Sequence, residues 1–220
     1  MFTICKKEND NLIFLDIDGV LDYQKWLSNP IRKHLRGGKF AMENVINPRN
    51  LFWVGLLCRL THAKVIMSSS WRYAWDENTG EVLKDHSGRS VVNVDKMFRR
   101  AGINLIGTTG NRIDNLRGTY EVNEDCINHY EMLEIQEELK MNREMFLKYA
   151  RGSQILDWLE RNNYKGNYVI LDDDISDIKV YKTLENHIVK SSFYGRHAGF
   201  GFKQFIKALS TLLATKEVEM

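Results

Sequence analysis

Short runs that are apolar throughout recur along this chain, separated by stretches with helical spacing of their apolar residues. That alternation constrains the fold more than any other feature. Unbroken apolar runs suit strands buried on both faces, and strands that alternate with helices build a parallel α/β sheet. The first run, Leu12-Ile13-Phe14-Leu15, predicts a buried central strand ending at Asp16. Asn47-Pro48 then opens a helix, with Asn47 as N-cap and Trp53, Leu56, Leu57 and Leu60 as its apolar face. Lys64-Val65-Ile66-Met67 predicts a second strand that runs into Ser68-Ser69-Ser70. A helix around Val94 to Ala101 stops at Gly102, and Ile103-Asn104-Leu105-Ile106 follows as the third strand. A helix from about Ser153 to Asn162 leads into the fourth, Tyr168-Val169-Ile170-Leu171. His187 to Lys190 is the fifth, and a last helix from near Phe202 uses Phe205, Ile206, Leu209 and Leu212.

At 220 residues the chain has the size of one domain with a modest insertion. Two segments break the alternation. Residues 22–47 hold Lys25, Arg32, Lys33, Arg36 and Lys39, with Arg49 just beyond, and form a basic flap after the first strand. Residues 110–150 form the insertion, and within them 121–150 carry eight acids against three bases and turn helical from about Tyr130. The three cysteines, Cys5, Cys58 and Cys126, lie far apart without metal-ligand spacing. They predict reduced thiols in a cytoplasmic setting. The polar start of the chain is no signal peptide, and no apolar run approaches the ~20 residues of a membrane span. No G-x-x-x-x-G-K-[ST] loop is present, which removes support for a kinase or ATPase.

Chemistry concentrates where three strands end. Leu15 is followed by Asp16-Ile17-Asp18-Gly19-Val20, Met67 by three serines and Trp71-Arg72, and Leu171 by Asp172-Asp173-Asp174. In a parallel sheet, ligands bind at the carboxyl ends of the strands. Crowded carboxylates there repel one another unless a cation sits among them. Oxygen-only ligands beside a phosphate suit Mg2+. Phosphoryl transfer needs an in-line nucleophile, a charge-neutralising cation and a proton donor for the leaving oxygen. Asp16 can attack, and Asp18 can protonate the leaving oxygen. Gly19 permits the sharp turn between them. One serine hydroxyl can donate to the phosphoryl group, with Ser69 favoured and Ser68 its rival, while Ser70 caps the next helix. Ser68, Ser70, Gly19, Arg72 and Thr108 are candidates for substrate contact, and Arg151 for charge balance.

Asp16-Ile17-Asp18-Gly19-Val20-Leu21 resembles the first motif of the haloacid dehalogenase-like (HAD) superfamily. The serines after Met67 resemble its second motif, and Asp172-Asp173 its fourth. A closer resemblance lies in Ser69-Ser70-Trp71-Arg72, Ile106-Gly107-Thr108-Thr109, Arg151-Gly152 and Tyr168 to Asp174. These are similar to the HAD branch found in RNA-repair proteins, akin to the phosphatase half of polynucleotide kinase–phosphatases. The resemblance implies a Rossmann-like sheet of order 5-4-1-2-3 and a phosphatase with an aspartyl-phosphate intermediate. It implies Mg2+ held by Asp16, Asp18, Asp172 and Asp173. Arg151 would fill the third motif, residues 22–47 the flap, and residues 110–150 a cap.

The expected substrate is a phosphorylated small molecule, a nucleotide or a nucleic-acid end, with no membrane partner. The basic flap favours nucleic acid or nucleotides, and the acidic insertion disfavours a duplex. A nucleoside monophosphate nucleotidase is the alternative, and a phosphate-binding protein without catalysis is a second. Against the latter, no key carboxylate is missing. A dehalogenase has no need of the proton donor that Asp18 supplies.

Overall fold

The computed structural model describes residues 11–29, 45–86, 89–110, 116, 118–124 and 143–214. Strands β1 (Leu12–Leu15), β2 (Lys64–Met67), β3 (Leu105–Thr108), β4 (Tyr168–Asp172) and β5 (Ile188–Lys190) form one sheet of order β3-β2-β1-β4-β5. This is the expected order read from the opposite edge. The paired strands β3-β2-β1-β4 run parallel, and β1 and β4 are buried along their whole length. Ile13, Leu15, Val65, Met67, Val169 and Leu171 share one buried core with residues of helices α2 (Pro48–Thr61), α3 (Arg89–Ala101) and α6 (Phe202–Leu213). A short helix α1 (Gln24–Leu27), which the sequence reading did not anticipate, follows β1.

Two expectations need correction. Of the expected face of α2, Leu57 is buried and Trp53 and Leu56 pack against the core, but Leu60 is 55% exposed, and Leu51, Val54, Cys58 and Thr61 are buried besides. The helix is gripped from two sides. Gly55 lies so close to α3 that an added Cβ would stand 2.2 Å from the Ala101 carbonyl oxygen, and Trp53 packs on Phe202 and Phe205 of α6. A helix wedged between neighbours buries more than one stripe, so its apolar periodicity blurs. The third strand also starts two residues later than expected, at Leu105 rather than Ile103. Gly102 takes φ +84° and the Ile103 N–H donates to the Phe98 carbonyl, so Ile103 belongs to the helix stop. Asn47 caps α2 as expected, its side chain accepting from the Arg49 N–H at 2.8 Å.

The chain divides into two compact units. One comprises Met1–Thr108, Gly166–Asp173 and Val189–Met220, and the other Thr109–Lys165 and Asp174–Ile188. The first carries nearly all of the sheet. The second contains helices α4 (Arg143–Tyr149) and α5 (Arg151–Arg161). Within it, Glu160 accepts from the Gly118 N–H and the Tyr120 hydroxyl, and Ser153 Oγ meets the Tyr181 hydroxyl at 2.9 Å. Arg32, Lys33, Arg36 and Lys39 of the flap, much of the expected cap (111–115, 117, 125–142), Cys5 and Cys126 lie outside the described residues. Cys58 is buried, and that burial pushes its thiol up to about 12, which leaves it unreactive. No helix among the described residues is long and apolar enough to cross a membrane.

Candidate active site

The sheet register assembles the site. Leu15 pairs with Met67 on one side and Leu171 on the other, so Asp16, Ser68 and Asp172 follow in one row across three strand ends. Backbone bonds carry that row past the strands: Asp16 N–H donates to the Leu171 carbonyl, and Ser68 N–H to that of Leu15, each at 2.9 Å. Asp16, Asp172 and Asp173 each offer a carboxylate oxygen, and the three oxygens lie within 4.8 Å of one another. Asp16 is 5% exposed and Asp172 1%. Three carboxylates at that spacing, two of them buried, repel strongly when all are ionised. The donor set is oxygen alone, and a divalent hard cation such as Mg2+ fits both the charge and the chemistry.

After β1 the chain turns sharply back. Gly19 takes φ +71°, and its N–H donates to Asp22 Oδ1 at 2.8 Å. Every carbonyl from Gly19 to Leu21 is held from outside the turn. The Gly19 oxygen accepts from Ser191 Oγ at 2.7 Å, that of Val20 from Asn50 Nδ2 and the Phe200 N–H, and that of Leu21 from the Asn47 N–H. Gly19 also packs directly on Asp173, because an added Cβ would stand 2.1 Å from that residue's Cγ.

Asp18 does not join the carboxylate cluster as expected. Burial raises its carboxyl above the ordinary range, while hydrogen bonds from Asp22 and the Trp71 indole partly restore the charged form. Asp22 is fully buried, and burial with the charges of Asp18 and Asp16 pushes it up to about 7 against the backbone bond from Gly19. No hydrogen-bond partner reaches its Oδ2 among the described residues, which fits an oxygen that carries a proton rather than a charge. Sequence reasoning passed over Asp22 and gave Trp71 no role at the site. The signal for Asp22 was a lone carboxylate closing an otherwise apolar turn, Val20-Leu21-Asp22. Nothing in the sequence pointed the Trp71 N–H at Asp18.

These shifts have a measurable consequence in metal-free protein. The folded chain holds the Asp22 proton up to about pH 7, whereas the unfolded chain releases it near the ordinary value of 3.8. Between those values folding takes up a proton, so stability should fall as pH rises, by at most ~1.4 kcal/mol per pH unit for one group. Asp18 acts in the same direction. Asp22→Asn should flatten the slope in denaturant titrations across that window, and an unchanged slope would refute a protonated Asp22.

The serines divide their work. Ser69 Oγ caps the 3₁₀ turn Ser70–Ala74, accepting from the Trp71 N–H at 3.4 Å. Ser68 Oγ is buried and has no hydrogen-bond partner among the described residues. Ser68 Oγ is thus left wholly uncommitted, whereas Ser69 Oγ is tied to the cap as an acceptor and keeps its own O–H. Ser70 begins the 3₁₀ turn, and Arg72 donates to the Ser69 carbonyl at 3.2 Å and lies over the Tyr73 ring. Thr108 is buried at the end of β3. In the second unit, Arg151 at the start of α5 is bound to Asp177: its backbone N–H donates to Oδ2 at 2.9 Å and its Nε to Oδ1 at 3.3 Å. Its Nη2 donates to the Asp174 carbonyl at 2.6 Å. Arg151 thus fastens the loop that follows directly on Asp173. Asp174 opens a turn there, accepting from the Ser176 N–H.

A parallel sheet of this order, with paired aspartates just past its central strand and carboxylates at the next strand end, is that of a HAD-type domain. The chain belongs to the family described as the HAD domain in Swiss Army Knife RNA repair proteins, whose model matches residues 12–195. No curated protein and no solved structure matches it.

Proposed function

We propose that the protein is a Mg2+-dependent phosphatase that removes phosphate monoesters from nucleic-acid ends or nucleotides by attack of Asp16. The observation that carries this reading is the row Ser68, Asp16, Asp172, with Asp173 beside it, which gathers a buried hydroxyl and three clustered carboxylates at the end of the central strands. Asp16 Oδ attacks phosphorus in line. As the aspartyl-phosphate forms, the bond to the leaving oxygen breaks, and Asp18 gives that oxygen its proton. Asp18, now a carboxylate, takes a proton from water, the water oxygen attacks phosphorus, and the Asp16–phosphorus bond breaks. Asp16 returns to its starting state and inorganic phosphate leaves. Burial raises the Asp18 carboxyl, which favours its protonated, donating form, and Trp71 and Asp22 hold its side chain in place. Ser68 Oγ donates to a phosphoryl oxygen. Mg2+ bound by Asp16, Asp172 and Asp173 would neutralise the developing charge. Membership of an RNA-repair family and the basic flap of the sequence support nucleic-acid ends over other monoesters.

The test is phosphate release from a panel containing a 3′-phosphorylated oligonucleotide, nucleoside 3′- and 5′-monophosphates, a sugar phosphate and an aryl phosphate. Activity should vanish with excess chelator and return with Mg2+ but not with Ca2+, whose looser shell misplaces the phosphoryl group. Full turnover in chelator would remove the ion from the mechanism. Brisk hydrolysis of one nucleoside monophosphate with none of the oligonucleotide would replace the end-phosphatase reading with a nucleotidase.

A further inference from the structure

The first unit contains a second polar feature, apart from the carboxylate site. A cavity of about 880 Å3 opens where the chain leaves the turn 16–22, beginning at Tyr23, one residue beyond Asp22. That is towards the upper end of ligand-sized cavities, roughly 300–1,000 Å3. Lys25, Arg49, Arg196, His197 and Lys203 line it, and none of its described lining residues is acidic. No ion pair engages these five among the described residues. A concave surface with four permanent cations and no acid among its described lining residues attracts a polyanion. Two helix starts add to the same field. Arg49 and Asn50 lie in the first turn of α2, and Phe202, Lys203 and Gln204 in the first turn of α6, with no acid in either first turn. Helix starts carry partial positive charge and favour anions.

The aromatic residues narrow the class of polyanion. Tyr23 and Trp26 line the cavity, and Phe202 stands at it 59% exposed. A backbone of phosphates on cations, with bases set against aromatic rings, is how single strands are held without sequence preference. An acidic peptide would satisfy the cations and leave the rings unused. Position favours the same ligand. The Gln24 N–H donates to the Phe193 carbonyl, and the segment that begins at Ser191 and lines the cavity at Arg196 and His197 also fixes the Gly19 carbonyl. We infer that this cavity binds the single strand of nucleic acid adjoining the terminal phosphate that Asp16 attacks. The inference rests on the nucleic-acid reading of the proposed function and gives it a second anchoring surface.

Binding of a short, fluorescently tagged single-stranded RNA with a 3′-phosphate tests this by polarisation at several salt concentrations. It is run alongside hydrolysis of an aryl phosphate too small to reach the cavity. Replacing Arg49, Arg196 and Lys203 together by alanine should weaken RNA binding by about tenfold or more. It should also reduce the slope of log affinity against log salt by about 2, at ~0.7 per lost phosphate contact. Phe202→Ala should weaken binding without changing that slope. Aryl phosphate turnover should stay the same in both variants. Unchanged RNA affinity and slope in the triple variant would overturn the inference, as would a parallel loss of aryl phosphate turnover. Equally tight binding of polyglutamate to the wild type would overturn it in favour of an acidic protein partner. RNA bound through these residues with no phosphate released would uphold the cavity and sink the phosphatase. Aryl phosphate hydrolysed with no RNA bound would do the reverse.

Discussion

Asp16→Asn should reduce phosphate release by about 10⁴-fold while leaving the fold intact, the scale expected when a covalent nucleophile is removed. The amide keeps the shape of the side chain and loses the lone-pair strength needed to attack phosphorus. Loss of activity alone would not separate a nucleophile from a residue that merely supports folding, and the carboxylate cluster supplies the distinction. Asp16 is nearly buried, with its carboxylate oxygen within 4.8 Å of those of Asp172 and Asp173. Neutralising it relieves repulsion, so metal-free Asp16→Asn should melt at the same temperature as the wild type or higher. A folding role predicts the opposite. Residual turnover above roughly one hundredth of wild type would contradict the assignment.

The sheet was legible because its strands are buried on both faces and therefore read as unbroken apolar runs. Leu12–Leu15 and Lys64–Met67 lie where the runs lie, and β4 extends its run by one residue, to Asp172. Where local rules compete, the reading slipped. Ile103 has the composition of a strand residue, but Gly102 makes it part of a helix stop. The face of α2 was misjudged at Leu60 and read too narrowly, because tertiary packing on α3 and α6, invisible in a single helix's spacing, decides how much of it is buried.

The site divides in the same way. The clustering of Asp16 with Asp172 and Asp173 follows from strand order and register, which the apolar runs reveal. The choice between Ser68 and Ser69 does not follow, because it depends on which hydroxyl the next turn uses as a cap. The Trp71–Asp18 and Asp22–Asp18 contacts depend on side-chain geometry between neighbouring loops, to which sequence spacing is blind. Arg151 illustrates the limit from the other side. Its position before β4 suggested charge balance, and its actual bonds run to Asp177 and the Asp174 carbonyl, downstream of the acidic pair.

Gly19→Ala should cost turnover about 100-fold or more, although Gly19 bears no side chain. Two separate costs meet there. At φ +71° an alanine is strained, by an amount on the order of 1–2 kcal/mol. The larger effect is positional. The new Cβ would stand 2.1 Å from Asp173 Cγ and 2.3 Å from its Oδ2, so either the Asp173 carboxylate leaves the cluster or the turn carrying Asp18 shifts. The turn cannot yield easily, because Ser191, Asn50 and the Asn47 and Phe200 N–H groups hold its carbonyls. Asp173 should therefore move, with a loss of Mg2+ affinity and of turnover by about 100-fold or more, as displacements near 1 Å cost in a positioned site. Gly195 supplies the control. It has φ +97°, yet an added Cβ meets nothing within 4 Å. Gly195→Ala should thus show the backbone strain alone, with a lower melting temperature and unchanged Mg2+ affinity and aryl phosphate turnover. If Gly19→Ala behaves like Gly195→Ala, the close packing of Gly19 on Asp173 plays no part in holding the site.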